Sequence, residues 1–133
     1  MIISPQDAIQ LPLHDARIFR VDVTLTEDGY LKALVEVEVN PEESLEPFRK
    51  FGIKSSKVTL VFQDCWQVAS NLLGFATGRE VISTFDIIDP SELKQKLRSF
   101  NVGSATMVHF RIQASTGSQL DFVAETFSCY ELK

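Results

Sequence analysis

The residues best suited to chemistry near the start of the chain are His14 and Asp15, in the stretch LPLHDARIFRVDV (residues 11–23). An imidazole next to a carboxylate supplies the groups of a general base, and both groups also bind metal ions. Adjacent side chains on an extended segment point to opposite faces, which keeps them from sharing one proton or one ligand. We therefore favour a structural role, in which Asp15 bonds backbone amides at the turn that precedes a strand.

A catalytic or metal site built on this pair would also need the second histidine, His109. The sequence has no H-x-x-x-H, C-x-x-C or paired-carboxylate motif, so it predicts no metal site. It also lacks G-x-S-x-G and a phosphate-loop pattern, so no cofactor is predicted. Cys65 follows Asp64, whose charge disfavours a reactive thiolate. A small hydrolase or metal-dependent enzyme using His14, Asp15 and His109 is therefore the alternative function.

Composition excludes several classes of function. The chain has 133 residues, which predicts a single domain over 1–133, and its net charge of −5 argues against nucleic-acid binding. The sequence shows neither a membrane-spanning apolar run nor a basic N-terminal leader, so we expect no membrane partner. The two cysteines, Cys65 and Cys129, are far apart and in apolar surroundings. Two buried thiols are typical of a cytoplasmic protein.

Charge is unevenly distributed along the chain, which predicts a binding surface. Acidic residues dominate from Glu27 to Glu46, and basic residues follow between Arg49 and Lys57. Either the basic block folds back and neutralises the acids, or the acids steer a basic partner protein. The segment PFRKF holds two phenylalanines that either anchor a loop to the core or form interface contacts. The candidate binding residues are Glu36, Glu38, Glu42, Glu43, Glu46, Phe48 and Phe51.

Two β-hairpins position these groups. In residues 16–39, apolar side chains alternate with polar ones on both sides of a turn at Glu27-Asp28-Gly29. Only a three-residue loop keeps apolar residues on one face, and it predicts the pairs Leu25–Leu31, Val23–Ala33, Val21–Val35, Phe19–Val37 and, on the other face, Arg20–Glu36. The same logic at Ser115-Thr116-Gly117 predicts the pairs Ile112–Leu120, Phe110–Phe122, Val108–Ala124, Arg111–Asp121 and His109–Val123.

The segments between the hairpins give weaker patterns. Residues 40–56 predict a loop, and residues 57–62 and 80–88 predict strands. Residues 64–74 fit two structures equally well, a helix or a strand that follows a bulge or turn near Asp64. Residues 90–100 predict a helix, with Asp89 as its cap, Pro90 at its first position and Glu92 in a capping box. Its apolar stripe consists of Leu93, Leu97 and Phe100.

Together these elements predict an α+β fold. We expect an antiparallel twisted sheet of about six strands built on two hairpins, with one helix, 90–100, packed on one face. The apolar residues Val123, Phe127 and Cys129 would lie on the outward face of the last strand. The helix stripe, or a second copy in a homodimer, would have to cover them.

The order of elements resembles a group of small bacterial β-rich domains of mostly uncharacterised function. The matching residues are Leu13, His14, Asp15 and Ala16 before an alternating strand, then VFQDCW (residues 61–66) and the run from Glu80 to Phe100. Some domains of this kind are similar to immunity proteins against secreted toxins. The resemblance implies a bacterial, non-enzymatic binding module. With the acidic stretch, it makes a basic protein the expected partner.

Overall fold

The computed structural model describes residues 2–71 and 80–132 of the chain. The strands are β1 (Ile2–Ile3), β2 (Arg17–Leu25), β3 (Leu31–Glu38), β4 (Lys57–Asn71), β5 (Ile82–Ile87), β6 (Val108–Ala114) and β7 (Gln119–Glu131). The helices are α1 (Pro5–Ala8), α2 (Glu46–Arg49) and α3 (Glu92–Ser99). None of these helices has the length and apolar character needed to cross a membrane.

All pairings in the sheet are antiparallel, in the order β2-β3-β4-β7-β6-β5, and β1 pairs with the far end of β7. The start of β2 also meets the segment before β5: Ile18 N–H donates to the Glu80 carbonyl, and Ile82 N–H donates to the Ala16 carbonyl. The prediction of an α+β fold, with six strands and one packed helix, is therefore wrong. The described part of the chain is mostly β, with a seven-stranded sheet and three short helices.

Both predicted hairpins form in the predicted register, with one exception. The pairs Leu25–Leu31 and Val21–Val35 occur as expected, as do Phe110–Phe122 and Arg111–Asp121. Gly29 and Gly117 adopt left-handed φ angles of 85° and 95° at the ends of the two loops. The expected pairing of Phe19 with Val37 is wrong. A β-bulge shifts the register so that Ile18 faces Val37, which leaves Phe19 39% exposed.

The ambiguous segment 64–74 is a strand as far as the structure describes it, because β4 continues to Asn71; residues 72–74 lie outside the described ranges. Asp64 has a φ of 52° at the position where side chains entering the core change from Phe62 to Cys65. The register of β4 against β3 shifts between Phe62 and Cys65, which marks a β-bulge at this point. A bulge bends the strand that contains it.

Five phenylalanine rings form the centre of the core. Phe62 stacks on Phe122 with centroids 4.1 Å apart, and it also meets Phe85, Phe110 and Phe127. On β7 the core side chains change from residues 120, 122 and 124 to residues 127 and 129. Phe127 and Cys129 therefore point inward, so the prediction that they lie on the outward face is wrong. Val123 does lie on the outward face, opposite His109, and it is fully buried there as expected.

The predicted helix exists, but its start and its packing differ from the prediction. Ser91, not Asp89, is the N-cap, and its hydroxyl oxygen accepts from Lys94 N–H at 3.1 Å. No residue of α3 is buried, and Phe100, just after it, is 70% exposed. The Leu93-Leu97-Phe100 stripe therefore does not pack as a whole on the sheet. Leu93 and Leu97 are half-buried, and Ser91 holds the start of the helix by its hydrogen bond to His109.

Candidate functional site

A row of hydrogen bonds joins a serine, a histidine and an aspartate on the outer face of the sheet. Ser91 Oγ lies 2.6 Å from His109 Nδ1, and His109 Nε2 lies 2.6 Å from Asp121 Oδ1. The three residues are 4%, 1% and 5% exposed. Polar groups buried to this degree require partners, and each of these has one.

The fold brings the three side chains together from three elements. His109 pairs with Val123 across β6 and β7, and Asp121 lies two residues away on the same face of β7. Ser91 arrives from outside the sheet as the N-cap of α3. The Ile88 N–H donates to the His109 carbonyl, which holds the chain close to β6 just before the helix begins.

The network also assigns the protons. Burial raises the pKa of Asp121. Hydrogen bonds from His109, Arg111 and Gln119 outweigh burial, so the pKa falls from the ordinary 3.8 to about 2. The ionised carboxylate only accepts, so His109 Nε2 carries a proton and donates to it. In a neutral imidazole Nδ1 then accepts from the Ser91 hydroxyl. The Ser91 oxygen in turn accepts from Lys94 N–H.

A cavity of about 490 Å³ borders this network. Its polar lining includes His109 and Asp121 together with Arg111, Gln119 and Glu92, and apolar residues from 88–93 form its wall. Arg111 Nε donates to Asp121 Oδ1 at 2.8 Å, so the cation in the cavity is already paired. Ser91 is not among the residues that line the cavity.

The order serine, imidazole, carboxylate is that of an acyl-transfer triad, in which the imidazole takes the proton of an attacking hydroxyl. Two observations argue against that use here. The Ser91 hydroxyl oxygen already accepts from the Lys94 N–H, and Ser91 does not line the cavity. The arrangement is well suited to fastening the start of α3 to the sheet.

A second polar network lies further along β7. Glu125 accepts from the indole N–H of Trp66 at 2.8 Å, from Thr106 Oγ1 at 2.5 Å and from the Ser104 hydroxyl. Burial raises the pKa of Glu125, but these three hydrogen bonds outweigh it and lower the pKa. This network holds residues 104–106, which follow α3, against the sheet. Ser91 holds the residues at the start of α3 against the same face.

His14 and Asp15 form a separate, exposed pair. The His14 Nε2 atom lies 3.5 Å from Asp15 Oδ2, with side chains 66% and 54% exposed. They reach each other because Asp15 has a left-handed φ of 63°, so the extended geometry expected for them does not apply. His14 Nδ1 lies 3.1 Å from the Ser83 carbonyl. His109 is bonded elsewhere, so the structure does not bring the three residues of the alternative enzyme together.

The predicted acidic residues remain near the surface, and basic residues reach some of them. Glu36 lies 3.8 Å from Arg20, Glu38 lies 3.9 Å from Lys57, and Glu46 contacts Arg49. Within residues 2–71 and 80–132, no cation lies within ion-pair distance of Glu42 or Glu43. The basic block has therefore neutralised part of the acidic stretch only.

The two phenylalanines of PFRKF anchor the loop. Phe48 is fully buried and Phe51 packs against the core, half-buried, with the Lys50 ammonium 5.0 Å from its ring. Phe48 therefore offers no surface to a partner. Cys65 and Cys129 are free and buried, and burial raises the pKa of each thiol to about 12.

Sequence reasoning did not identify Ser91, Asp121 or Glu125 as members of networks. The predicted register places His109 opposite Val123, and Asp121 lies two residues before Val123 on the same face. The contact between His109 and Asp121 could therefore have been predicted from the sequence. Ser91, Ser104 and Thr106 gave no signal, because their partners depend on how residues 88–107 cross the sheet. Among the described residues there is no cluster of three or more metal-binding side chains. Comparisons with protein-family models, curated proteins and solved structures found no match to this chain.

Proposed function

We propose that the protein is a non-enzymatic binding module that engages a basic protein through an acidic loop. The observation that carries the proposal is the presentation of Glu42 and Glu43. Their loop is pinned at one end, where Asn40 Oδ1 accepts from Glu42 N–H and the Asn40 carbonyl accepts from Glu43 N–H. At the other end the buried Phe48 anchors it. A loop ordered in advance loses less conformational entropy when it binds.

The neighbouring carboxylates extend this acidic surface. Glu36 and Glu38 project from β3, and their cations lie 3.8 and 3.9 Å away in partly exposed pairs. Exposed pairs of this kind contribute about 0–1 kcal/mol, so a partner's lysines and arginines can replace them at low cost. An acidic surface of this form speeds encounter with a basic protein, especially at low salt.

The class of partner follows from charge and from the resemblance of the Leu13–Ala16 motif. Because some domains with this motif are similar to immunity proteins, we propose a bacterial toxin domain with a basic surface as the partner. Two free, buried thiols support a cytoplasmic setting for that encounter.

The test is affinity capture from bacterial cytosol, comparing three immobilised proteins at low and physiological salt. The wild type should retain a basic protein, and Glu42→Lys/Glu43→Lys should lose it. The control Asp86→Lys/Glu92→Lys changes the net charge equally on another surface and should still retain it. A bound set that is the same for both variants would contradict the proposal.

A second candidate function is acyl hydrolysis by Ser91, favoured by the two 2.6 Å contacts of the network. The Ser91 hydroxyl would attack a carbonyl carbon while its proton passes to His109 Nδ1, and the bond from that carbon to the leaving group would then break as the leaving group takes the proton from His109. Water, deprotonated by His109, would hydrolyse the acyl-serine and restore the Ser91 hydroxyl. It ranks second because Ser91 is 4% exposed and does not line the cavity.

A fluorophosphonate probe with intact-mass detection tests the second candidate. Hydrolysis requires one adduct, located on Ser91 and absent from Ser91→Ala. Ser104 is the internal comparison, because its hydroxyl bonds a carboxylate but no imidazole. An unlabelled protein excludes the activity.

A further inference from the structure

The cavity beside His109 and Asp121 has the size and lining of a small-molecule site. Its volume of about 490 Å³ is in the usual range for such sites, and its polar residues are Glu92, His109, Arg111, Gln119 and Asp121. Both ring nitrogens of His109 are bonded, Asp121 accepts from three donors, and the Gln119 side chain is bonded at both its oxygen and its nitrogen. Among the described residues, the polar groups left for a ligand are therefore those of Glu92 and Arg111.

Arg111 and Glu92 line one cavity without neutralising each other. Arg111 uses only its Nε atom, which donates to Asp121 Oδ1 at 2.8 Å. Its outer nitrogens, Nη1 and Nη2, bond no described residue, and residues 72–79 contain no carboxylate side chain. Asp86 faces Arg111 in the register of β5 and β6 but is too distant for an ion pair. Glu92 has no ion-pair partner in the part of the chain that the structure describes.

The buried network holds both of these residues in place. The bond from Nε to Asp121 fixes the guanidinium of Arg111 and leaves its outer edge open. Glu92 directly follows Ser91, whose bond to His109 fixes the start of α3 against the sheet. Groups that are positioned before a ligand arrives lose less conformational entropy when it binds. The network thus presents a two-pronged donor and a carboxylate on two elements that are fixed relative to each other.

We propose that the cavity binds a free α-amino acid with an apolar side chain. Nη1 and Nη2 of Arg111 donate in parallel to the ligand carboxylate, and the Glu92 carboxylate accepts from the ligand ammonium group. The ligand side chain lies against the apolar wall formed by Ile88, Pro90 and Leu93. Because the lining holds two carboxylates, one guanidinium and a neutral imidazole, it disfavours a ligand that carries only negative charge, whereas a zwitterion satisfies both free groups.

This site is separate from the acidic loop that carries the proposed function. Glu42 and Glu43 do not line the cavity, so either proposal can fail without the other. It also differs from acyl hydrolysis, because a free amino acid offers Ser91 no acyl group to transfer.

Isothermal titration calorimetry with L-phenylalanine and L-leucine as probes tests the proposal. At least one of the two should give saturable binding to the wild-type protein. Phenethylamine lacks the carboxylate of L-phenylalanine and hydrocinnamate lacks its ammonium group, so each should bind at least ~10-fold more weakly than L-phenylalanine. The proposal is overturned if neither amino acid binds saturably, or if either analogue binds as tightly as the amino acid.

Two substitutions test which residue holds each end of the ligand. Glu92 is exposed, so Glu92→Gln should fold normally, weaken the binding of the amino acid ~10-fold or more and leave that of hydrocinnamate undiminished. Arg111→Lys keeps a cation beside Asp121 but loses the two-pronged donor, so it should weaken the amino acid and hydrocinnamate but not phenethylamine. Glu27→Gln makes the same charge change at an exposed position outside the cavity and should alter none of these affinities. Equal effects of Glu92→Gln and Glu27→Gln would refute the site.

Discussion

His109 and Asp121 lie diagonally across β6 and β7, with Nε2 and Oδ1 2.6 Å apart and both side chains buried. The same carboxylate accepts from Arg111 and Gln119, each at 2.8 Å. Three side chains thus donate hydrogen bonds to one buried carboxylate. This relationship determines how the protein should respond to acid.

We expect Asp121 to contribute stability that is lost at low pH. Burial raises its pKa, but the three hydrogen bonds lower it from the ordinary 3.8 to about 2. A folded pKa below the unfolded value stabilises the native state above the unfolded pKa, and this stability disappears as pH falls from about 4 to about 2. The difference corresponds to about 2 kcal/mol. Urea unfolding of the wild type and Asp121→Asn between about pH 2 and pH 7 measures it.

The control for this experiment is Asp86→Asn. Asp86 lies opposite Arg111 in the backbone register of β5 and β6, but it is exposed, so its replacement should change the acid dependence little. An Asp121→Asn variant with the wild-type slope between pH 2 and pH 4 would show that the carboxylate is not held in the charged form.

The two histidines should differ sharply in their contribution to folding. His109→Ala leaves the Ser91 hydroxyl and the Asp121 carboxylate without their shared partner, at a cost of about 2–3 kcal/mol. His14 is 66% exposed at its side chain, and His14→Ala should cost less than about 0.5 kcal/mol. Urea denaturation at neutral pH compares them. Equal losses would mean that the buried network contributes little.

The hairpin registers were predictable because two local signals agree. Glycine at the third loop position selects a three-residue loop, and alternation then determines which side chains face the core. The bulge at Phe19 was not predictable in this way, and the bulge near Asp64 was expected only within the strand alternative for residues 64–74. A bulge inserts one residue without changing composition, and on β4 it turned a strand pattern into one that also fits a helix.

The polar network was predictable only in part. The register that pairs His109 with Val123 also places Asp121 beside the imidazole. Ser91 joins them because the chain between β5 and β6 crosses the outer face of the sheet, a long-range event with no local pattern. Phe100 follows the last residue of α3 and is 70% exposed, so the apolar stripe of the sequence is only partly used for packing.

Phe62 should be the most sensitive core position. Its ring contacts four others and stacks on Phe122 at 4.1 Å, so Phe62→Ala removes packing that neighbours cannot refill. We expect a loss of about 3–5 kcal/mol in the free energy of unfolding. Phe100→Ala is the matched control, since its ring is 70% exposed and its loss should stay below about 0.5 kcal/mol. Chemical denaturation distinguishes them, and similar losses would contradict this description of the core.

The two thiols should be silent toward a disulfide reagent until the protein unfolds. Cys65 is 2% exposed and its thiol donates to the Phe62 carbonyl, and Cys129 is 3% exposed. Burial raises both pKa values to about 12, so near pH 8 only about one thiol in 10⁴ is a thiolate at any moment. Absorbance after adding Ellman's reagent should show no reaction in buffer and both thiols in denaturant. A Phe100→Cys variant supplies the positive control, because residue 100 is 70% exposed and the added thiol should react at once. Rapid reaction of the wild-type protein in buffer would show that at least one cysteine is not enclosed by the core.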